Sequence, residues 1–287
     1  MIPEWVLWLS GIVVLFIFWF FWATRSKDFD KNTINCRLHR LWRRIAFWAG
    51  DVRVMREFPW VSTNVHHNLV THEEFLEIQK KVLPGDVLLT THHGFIFSNL
   101  AIPGCFKHAA IFIECSDGLS RMRLVEAISE GVVKRHPQYA LADDMIILRP
   151  RHIRDIDREK IIINANKIVG CKYDTRFDFN IEDELTFINN SSTEKMTQED
   201  AMELNRNKGN LKGFDLAFSC TEAVAFCLWH MRRRLGIVRK KARGKLCIIA
   251  DQFINRDFKI VWTNVNPKRA KKRGLHEEGI REIERLF

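Results

Sequence analysis

A sulfur nucleophile, a base to take its proton and an acid to orient that base can together cleave a carbonyl–heteroatom bond, and this chain carries a candidate for each. Residues 218–226 read Phe-Ser-Cys-Thr-Glu-Ala-Val-Ala-Phe. Ser219, three residues ahead of Glu222 and just before an apolar run, gives the pattern of a capping box. It makes Ser219 the N-cap of a helix and puts Cys220 in its first turn. There, unpaired N–H groups and the positive end of the helix dipole favour a thiolate and can donate to an oxyanion. His108 opens the apolar β-type run Phe-Lys-His-Ala-Ala-Ile-Phe-Ile-Glu, and Glu126 sits inside Arg-Leu-Val-Glu-Ala-Ile. A hairpin through Ser116-Asp117-Gly118 would lay the two strands side by side, with Glu126 holding the His108 tautomer. Singly, each has an ordinary reading: a buried core thiol, a half-buried histidine, an exposed strand acid. An acid among Leu, Val, Ala and Ile is the hardest to treat as ordinary, because a buried carboxylate requires partners.

The elements that would position these residues follow from pattern and punctuation. Thr71 with Glu74 caps a helix to about Val82, and Pro84-Gly85-Asp86 turns into a strand over 87–90. Residues 91–104 predict a loop beside the site, 145–148 a strand, 154–169 a helix ending at Gly170, and 260–262 the last strand. Residues 189–210 are polar, with a short helix expected over 198–205, and 275–287 predict a terminal helix. There are no internal repeats.

The order His108, Glu126, Cys220 resembles the circularly permuted papain-like amidases, the YiiX/YaeF-like branch of the NlpC superfamily. Other matching pieces are Leu83-Pro-Gly-Asp-Val-Leu-Leu-Thr90, Glu126-Ala-Ile-Ser-Glu-Gly131, Val169-Gly-Cys-Lys-Tyr-Asp174 and Ile248-Ile-Ala-Asp-Gln-Phe253, in order over roughly 78–263. Thr221 stands where that pattern has serine, and 189–210 reads as an insertion. The resemblance implies an α+β permuted papain-like (NlpC-type) domain, its antiparallel sheet packed on the catalytic helix, and a Cys220–His108–Glu126 triad. It also implies a pocket wall to which Tyr173 and Asp174 contribute, with Ser219 on the substrate side; plain core packing is the other reading of Tyr173. The expected reaction is hydrolysis or acyl transfer at an amide, ester or thioester, without a cofactor. Relatives of this kind act on cell-wall peptides or on lipid acyl groups.

Composition sets the surroundings. Residues 5–24 carry no charge and are dominated by Trp, Phe, Leu, Ile and Val; as a helix they reach roughly 30 Å, the thickness of a bilayer core. The N-terminal flank holds Glu4 and no Lys or Arg, unlike a cleavable signal peptide. Arg25, Lys27, Lys31, Arg37, Arg40, Arg43 and Arg44 follow, against Asp28 and Asp30, which places the remainder on the cytoplasmic side. Leu38, Leu41, Trp42, Ile45 and Trp48 recur at helical spacing opposite those arginines, as in a helix lying at the interface. The expected organisation is an anchor (1–24), a basic juxtamembrane segment (25–60), a hydrolase domain (61–265) and a basic tail (266–287). The net charge of +10 concentrates near the anchor, in the eight Lys and Arg between 232 and 245, and over 268–273. These runs suit the membrane bilayer as partner; no zinc-finger spacing or RNA-binding signature supports nucleic acid. With a tether on the cytoplasmic side, a lipid or acylated-protein substrate is favoured over peptidoglycan. A non-catalytic scaffold binding anionic lipid or nucleic acid through its basic faces is the alternative from another class. Seven cysteines without a Cys-x-x-Cys pair fit a reducing compartment. His66-His67 and His92-His93 offer one metal ligand per pair at most, so no metal is expected.

Overall fold

A computed structural model of the chain describes residues 53–54, 61–62, 70–93, 102–115, 121–174, 217–238, 240–242 and 245–286. The anchor, the amphipathic segment and the insertion at 189–210 lie outside them. Residues Arg53–Phe287 form one compact unit. No helix among the described residues is long and apolar enough to cross a membrane.

The fold is α+β. Six strands build an antiparallel sheet: β3 (Val87–Thr91), β4 (His108–Glu114), β5 (Arg123–Ile128), β6 (Gly131–Arg135), β7 (Asp144–Pro150) and β12 (Phe258–Thr263), in the order β12-β7-β3-β4-β5-β6. Both faces of the sheet are covered, which is why its inner strands read as continuous apolar runs rather than alternating ones. One face gathers Leu88, Ala110, Phe112, Leu124 and Ile147 under the helix α1 (His72–Lys81), which contributes Ile78. The other gathers Leu89, Ala109, Ile111, Val125 and Ile146 under α2 (Asp155–Ile168) and α3 (Cys220–Cys227). Short pairs complete the unit: β1 (Arg53–Val54) with β2 (Val61–Ser62), and β10 (Lys240–Ala242) with β11 (Lys245–Cys247), both antiparallel. The parallel pair β8 (Lys172–Tyr173) and β9 (Ala217–Phe218) leads directly into α3.

Local chemistry explains the boundaries. At α1, Glu74 accepts from the Thr71 N–H at 2.7 Å while Thr71 Oγ1 accepts from the Glu74 N–H at 3.2 Å, the reciprocal cap expected of that spacing. The turn into β3 is pinned by Asp86, whose carboxylate takes two 2.7 Å bonds from the Arg149 guanidinium and one at 2.8 Å from the Leu83 N–H. At β6, Gly131 has φ +121°, and a Cβ there would lie 2.4 Å from the Cys171 carbonyl oxygen. Glycine lets the strand edge meet the end of α2, where Val132 donates to Cys171 O and accepts from the Gly170 N–H, both at 2.8 Å.

The C-terminal segment differs from expectation in part. The helix expected over 275–287 is present as α5 (Glu277–Glu284), and a second, unexpected helix, α4 (Pro267–Lys272), precedes it in the segment read as a basic tail; together they bury Ala270, Leu275, Ile280 and Ile283 in the main core. The Lys and Arg side chains occupy the outer face while the sparse apolar residues keep helical spacing, so the segment packs despite its charge. Strand β6 and the β10–β11 pair also arise where no strand was expected.

Candidate active site

The structure brings Cys220, His108 and Glu126 together. The register of β4 on β5 pairs Ala110 with Glu126, which puts His108 two residues along the same face, diagonally across from the carboxylate. His108 Nε2 and Glu126 Oε2 are 2.5 Å apart. With Nε2 so engaged, Nδ1 is the ring nitrogen left to face Cys220, whose sulfur is near enough to raise the His108 pKa. The thiol also lies 3.9 Å from the carbonyl oxygen of Lys107.

The helix start is built as its sequence dictates. Ser219 has extended backbone, and its N–H donates to Glu222 Oε2 at 2.7 Å. The first backbone bond within the helix runs from the Ala223 N–H to Ser219 O, so the N–H groups of Cys220 and Thr221 precede it. All eight residues of α3 are buried, and Phe226 meets Phe218 edge-to-face at 5.4 Å. Burying Val224 and Phe226 alone contributes about 1.5–3 kcal/mol each, which fixes the cysteine on a packed element rather than a loop.

The electrostatics of the pair are mutual. Burial pulls the His108 pKa down, but the contacts with Cys220 and Glu126 outweigh it and push it up to about 10. Burial pushes Glu126 up, and the bonds and charges of His108 and Arg135 bring it below the ordinary carboxylate value. Other thiols are held in their protonated form. Burial raises Cys105 to about 12, with the Asp251 charge adding to it, and raises Cys115 to about 12; Cys227 is raised by burial as well.

The residues expected to line a pocket fall nearby. Tyr173 pairs with Phe218 across β8 and β9, and the Asp174 N–H donates to Phe218 O at 3.1 Å. Burial raises the Tyr173 phenol well above its usual value, and the charges of Cys220, Glu222 and Asp174 act in the same direction. Ser219 is buried, with its hydroxyl 3.4 Å from Thr221 Oγ1, so its place is the helix cap.

Two supporting residues were not read as such from the sequence. Asp251, on a 3₁₀ turn (Ala250–Phe253), accepts from the N–H groups of Cys105 at 2.6 Å and Phe106 at 2.9 Å, and so fixes the approach to His108. Gly104 permits that contact: at φ +95° it passes so close that a Cβ would lie 2.9 Å from Asp251 Oδ2. Arg135, on β6, donates through Nε to Glu126 Oε1. A position 146 residues away gives no local signal, and Arg135 lies in a stretch where no strand was expected.

Among the described residues, no group of His, Cys, Asp and Glu could hold a metal ion. His93, one of the paired histidines, is instead bound to Asp144, with Nε2 and Oδ2 2.7 Å apart. In comparisons with known proteins, no family model, no curated protein and no solved structure matches this chain.

Proposed function

We propose that the chain is a cysteine hydrolase or acyltransferase of the permuted papain-like kind, acting on an amide, ester or thioester. The observation that carries this reading is His108 standing between Glu126 and Cys220, with the sulfur in the first turn of a capped helix. The chain order of histidine strand, acid strand and cysteine helix supports the permuted arrangement. In the first half-reaction, His108 takes the thiol proton as Sγ bonds to the carbonyl carbon and the carbonyl electron pair moves onto oxygen. The N–H groups at the start of α3, which precede the first helical bond, would supply donors to that oxyanion. Collapse expels the amine, alcohol or thiol, which leaves with the proton from His108. Water, or an acceptor in the transferase case, then repeats the sequence and frees Cys220.

The sequence of residues 1–50 adds a tether to this reading: a single membrane span, the catalytic domain on the cytoplasmic side, and a lipid or acylated protein as substrate. Protease protection in sealed cells tests the topology; digestion of the domain from outside would return peptidoglycan peptides to the head of the list. The chemistry is tested by iodoacetamide at neutral pH. Cys220 should be alkylated ahead of Cys105, Cys115 and Cys227, whose thiols are held protonated by burial. Equal labelling of all accessible cysteines would favour a non-catalytic scaffold.

A further inference from the structure

Glu126 has no solvent exposure at its side chain, yet His108 and Arg135, which share it, hold its pKa below the ordinary carboxylate value. A buried carboxylate without water must be neutralised by charge and hydrogen bonds or take up a proton itself. His108 cannot neutralise it continuously, because general acid–base work passes the imidazole through its uncharged form. Arg135 can, since a guanidinium keeps its charge at any working pH and presents its donors in a fixed fork.

The placement is built rather than incidental. Strand β6 pairs with β5 in a register that sets Arg135 opposite Leu124 and Val133 opposite Glu126, so Arg135 and Glu126 share a face as diagonal neighbours. Each carboxylate oxygen has its own partner, Oε2 taking His108 and Oε1 taking Arg135. The arginine is itself steadied: Nη2 donates to Tyr139 O at 3.2 Å, and the guanidinium carbon stands 5.8 Å from the Tyr139 ring centre. Its side chain keeps 28% exposure, enough contact with water to hold the charge without a second acid.

Resting on the hydrolase reading, we propose that Arg135 is a positioning residue that keeps Glu126 anionic and aimed while His108 gives up and regains its proton. The proton then shuttles between Cys220 and His108, and the carboxylate never becomes its resting place. The ionisable groups bearing on this unit are His108 from β4, Glu126 from β5, Arg135 from β6 and Cys220 from α3. Glu222, Tyr173 and Asp174 adjoin the sulfur side.

The test needs no substrate. The rate of Cys220 alkylation by iodoacetamide is followed against pH in the full-length chain and read by mass spectrometry of the Cys220 peptide. Without the arginine charge Glu126 takes a proton at higher pH, so His108 loses its carboxylate sooner as the solution is acidified. In Arg135→Gln the acid limb of the profile should therefore move up by about one pH unit, the lower end of what a lost opposite charge at contact distance does. Arg135→Lys, which keeps the charge, should stay near wild type, and Arg135→Met should follow Gln. A limb that stays in place in Gln and Met, with slower alkylation at every pH, would mean a merely structural role and overturn the proposal. So would Gln behaving as Lys does. His108→Ala separates the two levels of the argument. If it leaves Cys220 alkylation unchanged, the hydrolase reading and this proposal fall together. If it slows alkylation while Arg135→Gln leaves the limb in place, only the proposal falls.

Discussion

Two clusters at one end of the sheet combine a histidine, a buried carboxylate and arginine, and they are wired differently. In the first, Glu126 joins three neighbouring strands, with His108 before it and Arg135 after it in sequence. In the second, Asp144 at the start of β7 binds His93 Nε2 at 2.7 Å, Arg269 at 3.2 Å and Arg273. The strand register makes them neighbours, since Thr90 lies opposite His108 and Thr91 opposite Asp144. Asp144 reaches 125 and 129 residues along the chain to α4, so its cluster fastens the C-terminal helices to the sheet. The sulfur that senses Asp144 and Arg273 is Cys105, whose thiol is raised to about 12, mostly by burial. Residue types alone therefore do not make a reactive centre. The same side chains form a clamp where the nearby thiol is kept protonated, and under the proposed function they serve as acid–base machinery where a helix start brings a thiol to the ring.

The sharpest way to break this contrast is to remove each histidine. His108→Ala should slow Cys220 alkylation at neutral pH roughly 100-fold, within the range for loss of a general base. His93→Ala should leave that rate within about twofold, far below such a loss; a comparable fall in both variants would erase the distinction.

Asp144→Asn comes next in size. It should cost about 1–2 kcal/mol of stability, because Arg269 and Arg273 are exposed enough to be partly solvated when released. Amide exchange should quicken first over α4 and α5, with Cys220 reactivity untouched. Exchange that quickens across the whole sheet instead would deny the clamp its local role.

Dependence on pH sharpens the comparison further. Glu126 is lowered from 4.5, so its contribution to stability is present above that value and lost as pH falls through its native pKa. His108 is raised from 6.5 to about 10, so its contribution is complete below 6.5 and lost as pH rises through about 10. Their joint contribution is fullest between pH 4.5 and 6.5. Urea midpoints of wild type and His108→Gln should differ most there and converge toward pH 10. A gap that stays constant over that range would contradict the pairing. The smallest effect belongs to Arg269→Gln, under about 0.5 kcal/mol for so exposed an ion pair. Arg273→Gln should cost more, since its side chain is 28% exposed against 49% for Arg269.

The legible parts were those with short-range signatures. Thr71 with Glu74 and Ser219 with Glu222 announce helix starts within four residues, and Leu-Val-Glu-Ala-Ile announces a buried acid. What escaped depended on register or on distant closure. Arg135 faces Glu126 only because β6 folds back on β5 with Leu124 opposite it, and Gly-Val-Val-Lys-Arg has only two apolar β-formers before its charges. Asp144 holds groups from both ends of the domain. The helix over 275–287 was legible from its spacing, whereas α4 was hidden because Ala270 is its one buried residue among Lys and Arg.

The glycine at the turn into β6 bears on how copies of this chain can meet. An outermost strand offers unpaired backbone groups to any passing strand, the usual start of runaway stacking between molecules. Here Val132 already spends both of its outward groups on Gly170 and Cys171. A side chain at 131 would collide with the Cys171 carbonyl and push that cover away. Gly131→Val should thus do more than strain one residue: it would uncover a sticky rim two strands from β4, which carries His108, and the variant should self-associate on standing more than the wild type does.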